Sequence, residues 1–151
     1  MKERTRVAMT DAEVLGLLAA ERKVHMATIN RDGTPHLVTM FYALIDERIA
    51  FWTYRTSQKA RNLARDPRIT CLVEDGEDYF ELRGVQVTGT VKRFDELAEV
   101  LAVGRRIAAT LRGVPVEALD SYVAEAARKR AAYIVEPGRV GSWGHRQLLA
   151  P

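Results

Sequence analysis

The sequence predicts a mainly β domain with inserted helices, an α+β chain in which six antiparallel strands curl into a small barrel. Three observations predict it. Six β-rich runs follow one another mostly in adjacent hairpin order, joined by short turns rather than by the long crossovers a parallel sheet needs. Glycines at 84 and 89 interrupt a long β-rich run, where they mark bulges or bends that let a sheet close. Helical periodicity is confined to a few joints, so that helices cover the barrel's openings. At 151 residues the chain fits one domain, 1–151.

The elements follow in order. "MTDAEVLGLLAAER" places Thr10 or Asp11 as an N-cap ahead of Val14, Leu17 and Leu18 at helical spacing. "KVHMATI" (23–29) and "PHLVTMFYALI" (35–45) are strands joined by "NRDG", whose Asp32-Gly33 pair suits a hairpin turn. "RIAFWTY" (48–54) then completes a three-stranded meander. "SQKARNLARD" is a short helix with Ala60, Leu63 and Ala64 on one face, ended before Pro67. Strands resume with "RITCLVED" (68–75) and "YFELRGVQVTGTVKRF" (79–94). Asp95 caps a helix whose apolar stripe runs Leu97, Val100, Leu101, Gly104, Ile107, Ala108, Leu111. A second helix begins near Pro115 with Leu119, Tyr122, Val123 and Ala126 inward. "AAYIVEP" (131–137) is the last strand, followed by a glycine-containing tail.

Composition narrows the function classes. No apolar run approaches the roughly 20 residues that span a bilayer, and the charged N-terminus lacks a secretory core, so a cytoplasmic protein is expected. One cysteine, Cys71, forbids an internal disulfide and reads as a buried thiol. The net charge of +3 favours an acidic partner. Lysines and arginines are interleaved with acids and form no continuous stacking platform, which argues against nucleic acid; a phosphorylated small molecule would satisfy the same charge bias. His25, His36 and His145 lie in three separate segments with no ligand spacing, so no metal site is expected.

Residues 51 to 68, "FWTYRTSQKARNLARDPR", carry the chemistry. A strand gives way directly to hydroxyls and cations at the start of a helix, where unpaired N–H groups and the helix dipole favour an anion. Thr56 and Ser57 offer a cap and hydroxyls, and Lys59 and Arg61 offer charge within one turn. Spacing alone leaves two readings open, a phosphate site or an ordinary capped helix with solvated cations.

The order of "MATINRDGTPHLVTMFYAL", "IAFWTYRTSQKARNLARDPR", "LRGVQVTGTVKRF" and a Trp closely followed by Arg resembles the pyridoxamine 5′-phosphate oxidase-like family over about residues 10 to 146. These are split β-barrel proteins that bind flavin mononucleotide or the deazaflavin coenzyme F-420. The resemblance implies that Arg55, Thr56, Ser57, Lys59 and Arg61 grip a cofactor phosphate. It implies that His36, Val38, Thr39, Met40 and Phe41 line the ring, with Trp52 and Thr53 from the third strand. Gln58 stands where the flavin oxidases commonly carry Arg, and Gly84 near where they commonly carry Gln. The "KARNLARDPR" form and the inserted helical pair look closer to the F-420-dependent branch.

What the resemblance implies for function is an F-420-dependent oxidoreductase that transfers hydride between the reduced cofactor and an unsaturated or quinone-like small molecule. Flavin mononucleotide oxidation and non-catalytic binding of cofactor or tetrapyrrole are the alternatives. The cofactor carries the hard chemistry, so no side-chain nucleophile is required, and water, Tyr42 or His145 are open as proton donors. A homodimer with the cofactor between subunits is implied, in which Trp143, His145 and Arg146 reach the cofactor or substrate of the partner subunit. The alternative for Trp143 is a tail anchor on its own barrel.

Overall fold

The computed structural model describes residues 2–151. A seven-stranded antiparallel sheet in the order β2-β1-β5-β6-β7-β4-β3 curls into a half-barrel. Its strands are β1 (Lys23–Ile29), β2 (Pro35–Phe41), β3 (Ala43–Ile45), β4 (Arg48–Tyr54), β5 (Arg68–Asp75), β6 (Arg83–Phe94) and β7 (Arg130–Gly144). Five α-helices join them: α1 (Lys2–Val7), α2 (Asp11–Ala20), α3 (Gln58–Arg65), α4 (Leu97–Ala108) and α5 (Val116–Ala127). No helix among the described residues is long and apolar enough to cross a membrane.

The strand count is seven rather than the expected six, because the run at 35–45 breaks at Tyr42. This residue is buried, its amide donates to the Arg22 carbonyl at 3.1 Å and its hydroxyl donates to the Leu18 carbonyl. Those two bonds turn the chain there. β2 pairs with β1 at one edge of the sheet, and β3 pairs with β4 at the other. The expected meander is therefore wrong in one respect: β4 lies between β3 and β7, not beside β2. One short step of chain connects the two edges of the curled sheet.

β4 is buried on both faces, which alternation explains. Ile49 and Phe51 enter a core inside the half-barrel with Leu17, Val24, Met26, Cys71 and Tyr133, where Phe51 stacks on Tyr133 at 5.0 Å. Ala50 and Trp52 enter a second core against α4 and α5, with Val100, Val103, Ile107, Val123 and Ala127. Leu97 stays exposed, so the α4 stripe begins at Val100 rather than at Leu97.

Caps follow the sequence in two helices and depart from it in a third. Thr10 and Glu13 form a reciprocal capping box on α2, and Ser57 caps α3. Asp95 does not cap α4, whose N-cap is Glu96. The Asp95 carboxylate instead accepts from the Arg93 guanidinium at 2.9 and 3.0 Å, a forked charge-assisted pair that outcompetes a single backbone N–H. That bonding holds the Asp95 carboxyl below its ordinary range.

The two glycines of β6 differ from each other. At Gly89 the ladder with β7 slips by one residue, a bulge, and a β-carbon there would run into the Glu136 carbonyl. Gly84 carries no bulge: the Trp143 ring lies across it, with Cε2 2.7 Å from where a β-carbon would stand. The expected tail after 137 is strand as far as Gly144, followed by a 3₁₀ turn at His145–Leu149.

Candidate functional site

Where β4 runs into α3, polar side chains form a ladder. The buried Thr53 hydroxyl donates to Ser57 Oγ at 3.2 Å, and Ser57 Oγ accepts the Ala60 amide at 3.1 Å, so one serine both caps the helix and ties it to the strand. Lys59 Nζ donates to Thr53 Oγ1 at 3.1 Å. An ammonium has three donors, and this bond uses one. Burial lowers the Lys59 pKa, since half-removing a cation from water disfavours its charge.

A cavity of about 290 Å³ opens beside this ladder. Thr39, Met40 and Phe41 form one wall, and β2 is an edge strand with no strand partner on its outer side. Trp52, Thr53 and Lys59 form the floor, while Gly104, Ile107 and Ala108 of α4 with Tyr122 of α5 form the opposite wall. Gly104 is there because Trp52 needs the space: a β-carbon at 104 would stand 2.6 Å from Trp52 Cη2. The Arg130 guanidinium lies over Trp52 at 5.0 Å and over Tyr54 at 4.1 Å, and donates to the Ala126 carbonyl at 3.1 Å. Among the described residues, two cations and no carboxylate line the cavity.

Of the residues singled out in the sequence, Thr39, Met40, Phe41, Trp52, Thr53 and Lys59 come together in these walls. The others stand elsewhere. Val38 packs on the barrel core. His36 faces a separate shallow depression with Asn30, Arg31, Asp32 and Gln58, and its buried Nδ1 has no partner among the described residues. Arg55 is committed to structure, donating to the Arg128 carbonyl at 2.9 Å and lying 3.6 Å from Asp95. Thr56 is exposed, Ser57 is the cap, and Arg61 is exposed with no ion pair among the described residues.

Trp143, His145 and Arg146 lie at the opposite end of β7 from Arg130 and line no part of this cavity. Trp143 covers Gly84, and the His145 ring bonds the Tyr79 carbonyl at 2.8 Å and packs on the Tyr79 ring at 4.5 Å. Arg146 borders a depression with Asp75, Glu81 and Arg83. Within one chain these three residues anchor the tail or its surroundings.

Sequence reasoning missed Tyr54, Gly104, Tyr122 and Arg130 as wall residues. Gly104 had a signal, a glycine inside an otherwise apolar helical stripe. It also missed Asn62, which is fully buried: its Nδ2 donates to Thr28 at 3.1 Å and Asn30 at 2.9 Å, and its Oδ1 accepts from Gln58 at 2.9 Å. Ala64, expected inside, is exposed.

Comparison with known proteins agrees with this fold. The profile of the pyridoxamine 5′-phosphate oxidase family matches residues 10–144. The chain belongs to this family. Among solved structures it is similar to a conserved hypothetical protein of Mycobacterium tuberculosis, 36% identical over 98% of this chain and 92% of that one, with a TM-score of 0.89. An F420 reductase is 25% identical over 83% of this chain and 94% of its own, with a TM-score of 0.61. A FAD-binding protein of Mesorhizobium loti shares the fold at 16% identity, over 89% of this chain and 94% of its own, with a TM-score of 0.64. A search of curated proteins finds no match.

Proposed function

We propose that this family member is an F-420-dependent oxidoreductase, acting in the cytoplasm as a homodimer on an unsaturated or quinone-like small molecule. The observation that carries the reading is the half-buried Lys59 ammonium, which lies in the floor of an aromatic cavity with no carboxylate in its walls. A cation kept out of water without a counter-ion is a standing cost, and a phosphate or carboxylate beside it removes that cost. The likeness to an F420 reductase is the second support.

The residues present fit such a cofactor. Lys59 and the Thr53 hydroxyl would hold an anionic group at the start of α3. The backbone of Thr39–Phe41 on the open edge of β2 would hold a flat heteroaromatic ring by hydrogen bonds, with Trp52 beneath it in the cavity lining. When bound, a reduced deazaflavin supplies hydride from its ring C5. The chain's own residues orient the ring and exclude water, Trp52 and α4 closing the inner side. At about 290 Å³ the cavity is at the small end for ligand sites, so the remainder of a long anionic tail would cross the rim. A second copy carrying Trp143, His145 and Arg146 would cover that rim.

Titration of the purified protein with F-420 and with flavin mononucleotide tests the proposal by tryptophan fluorescence. F-420 should quench, and Trp52→Phe should remove a large part of the quenching, the remainder reporting Trp143 of the second copy at the rim. Preferential binding of flavin mononucleotide would defeat the deazaflavin assignment.

A further inference from the structure

Reducing a conjugated acceptor takes a proton as well as a hydride, and one wall of the cavity is wired to solvent. His25 lies on β1 between β2 and β5. Its Nδ1 is 3.0 Å from the Thr39 hydroxyl, directly across the β1–β2 pair. Its Nε2 is 3.6 Å from a carboxylate oxygen of Glu74 on β5. Thr39 is itself a wall residue of the cavity. A carboxylate, an imidazole and a hydroxyl therefore stand in series across three neighbouring strands and end at the ligand site. The outer end is wet, since the His25 and Glu74 side chains are 39% and 45% exposed.

We propose that Glu74, His25 and Thr39 form a proton-delivery chain, in which Thr39 is the catalytic donor and His25 and Glu74 are positioning residues behind it. The chain rests on the deazaflavin reading above. Its logic follows from which partner donates. With the imidazole neutral and its Nε2–H turned to Glu74, Nδ1 accepts the Thr39 O–H, and the hydroxyl proton is tied up within the wall. With the imidazole protonated, Nδ1–H donates to the Thr39 oxygen, and the hydroxyl proton is released toward a ligand. Glu74 faces Nε2 and holds the ring with Nδ1 toward Thr39.

The other groups on this sheet face do not compete. β2 contributes Leu37 and Phe41 beside Thr39, and β5 contributes Thr70 and Leu72 beside Glu74. Lys23 is two residues before His25 on β1 and exposed. Arg68, at the far end of β5, is held by Asp66 at 2.7 Å.

The step balances. For an acceptor with C=C conjugated to C=O, hydride supplied by a bound reduced deazaflavin would form a C–H bond at the β-carbon, and the π pair would move toward the α-carbon and oxygen. The Thr39 O–H bond breaks as its proton joins that pair, and the Nδ1 proton passes to the Thr39 oxygen. His25 is left neutral and regains a proton from water at its exposed edge. The acceptor is reduced by two electrons and the deazaflavin is oxidised by two.

The test compares wild type with His25→Gln, Thr39→Val and Thr39→Ser. Single-turnover oxidation of reduced F-420 by a cyclic enone is followed between about pH 5 and 9, in H₂O and in D₂O. The proposal expects wild-type turnover to fall as the imidazole loses its proton. It expects Thr39→Val and His25→Gln to be slower by about a hundredfold. Both should lose the pH dependence and the solvent isotope effect, with the F-420 affinity of His25→Gln within about threefold of wild type, and Thr39→Ser should restore turnover. A readout that needs no cofactor accompanies it: in ¹⁵N-labelled free protein, Thr39→Val should move the His25 Nδ1 resonance. A His25→Gln enzyme with the wild-type rate, pH profile and isotope effect overturns the relay and leaves the deazaflavin reading intact. Failure of the wild type to bind F-420 sinks that reading instead, and a His25 Nδ1 signal indifferent to Thr39→Val overturns the relay with or without cofactor.

Discussion

Replacing Gly104 by alanine should lower stability and distort the cavity from its helical side. A β-carbon at 104 would stand 2.6 Å from Trp52 Cη2 and 2.9 Å from Cε3, closer than β-carbons approach carbon in real proteins. The indole cannot easily yield, because Trp52 is buried and Arg130 lies over its ring. Overpacking of this kind costs about 1–3 kcal/mol. Alanine recovers about 1 kcal/mol as the better helix former. The difference is a net loss of up to about 2 kcal/mol, and each 1 kcal/mol is about 2–4 °C in Tm for a chain of this size. Gly16 is the control, a helical glycine of α2 with nothing within 4 Å of its would-be β-carbon, where alanine should gain about 0.5–1 kcal/mol. Urea unfolding of the two variants in parallel measures both. If Gly104→Ala gains stability as Gly16→Ala does, the close approach of Trp52 to α4 is refuted and the cavity wall has been misplaced.

Lys59→Ala should weaken any phosphate-bearing ligand by about 1–3 kcal/mol, read by titration; unchanged affinity would remove Lys59 from the site. The lysine also sets a pH dependence with a definite sign. Its folded pKa is lowered from 10.5, so between the two values the unfolded chain holds a proton that the folded chain has released. Stability therefore rises with pH across that window and the penalty is fully present below it; Lys59→Met should flatten the rise in urea midpoints. Asn62→Ala strands the buried Thr28 hydroxyl and should cost about 1–3 kcal/mol, measured by the same unfolding assay. Burial pushes the Cys71 thiol up to about 12, so iodoacetamide should leave it untouched in the folded protein and label it once urea unfolds the chain.

The strands are legible because alternation and turn chemistry are local: "NRDG" encodes a turn whose Gly33 has φ of +87°, and the Ser57 cap is written in three residues. The break at Tyr42 is not legible, since it depends on the carbonyls of Arg22 and Leu18 about twenty residues away. The same distinction divides the site. Trp52, Thr53 and Lys59 sit within one strand-to-helix junction; spacing singles out Lys59, and the family resemblance adds Trp52 and Thr53. Arg130 reaches the cavity because β7 pairs with β4, bringing residues more than seventy positions apart together, and no period in the sequence encodes that. Asn62 looks like a solvated helix residue until the hairpin carrying Thr28 and Asn30 closes over it. Arg55 reads as a free cation for the opposite reason, because Asp95 and the Arg128 carbonyl that engage it are distant in sequence.

β4, packed on both sides and flanked by β3 and β7, is the part of the molecule whose amides should surrender their protons only when the whole domain melts. The floor of the cavity is thus cast into the most durable piece of the architecture. Adaptability has to come from the opposite bank, where α5 leaves Tyr122 half in water and α4 meets the indole across a bare glycine. Under the proposed activity, new acceptor preferences would evolve by editing that helical bank, with the strand beneath it left as bedrock.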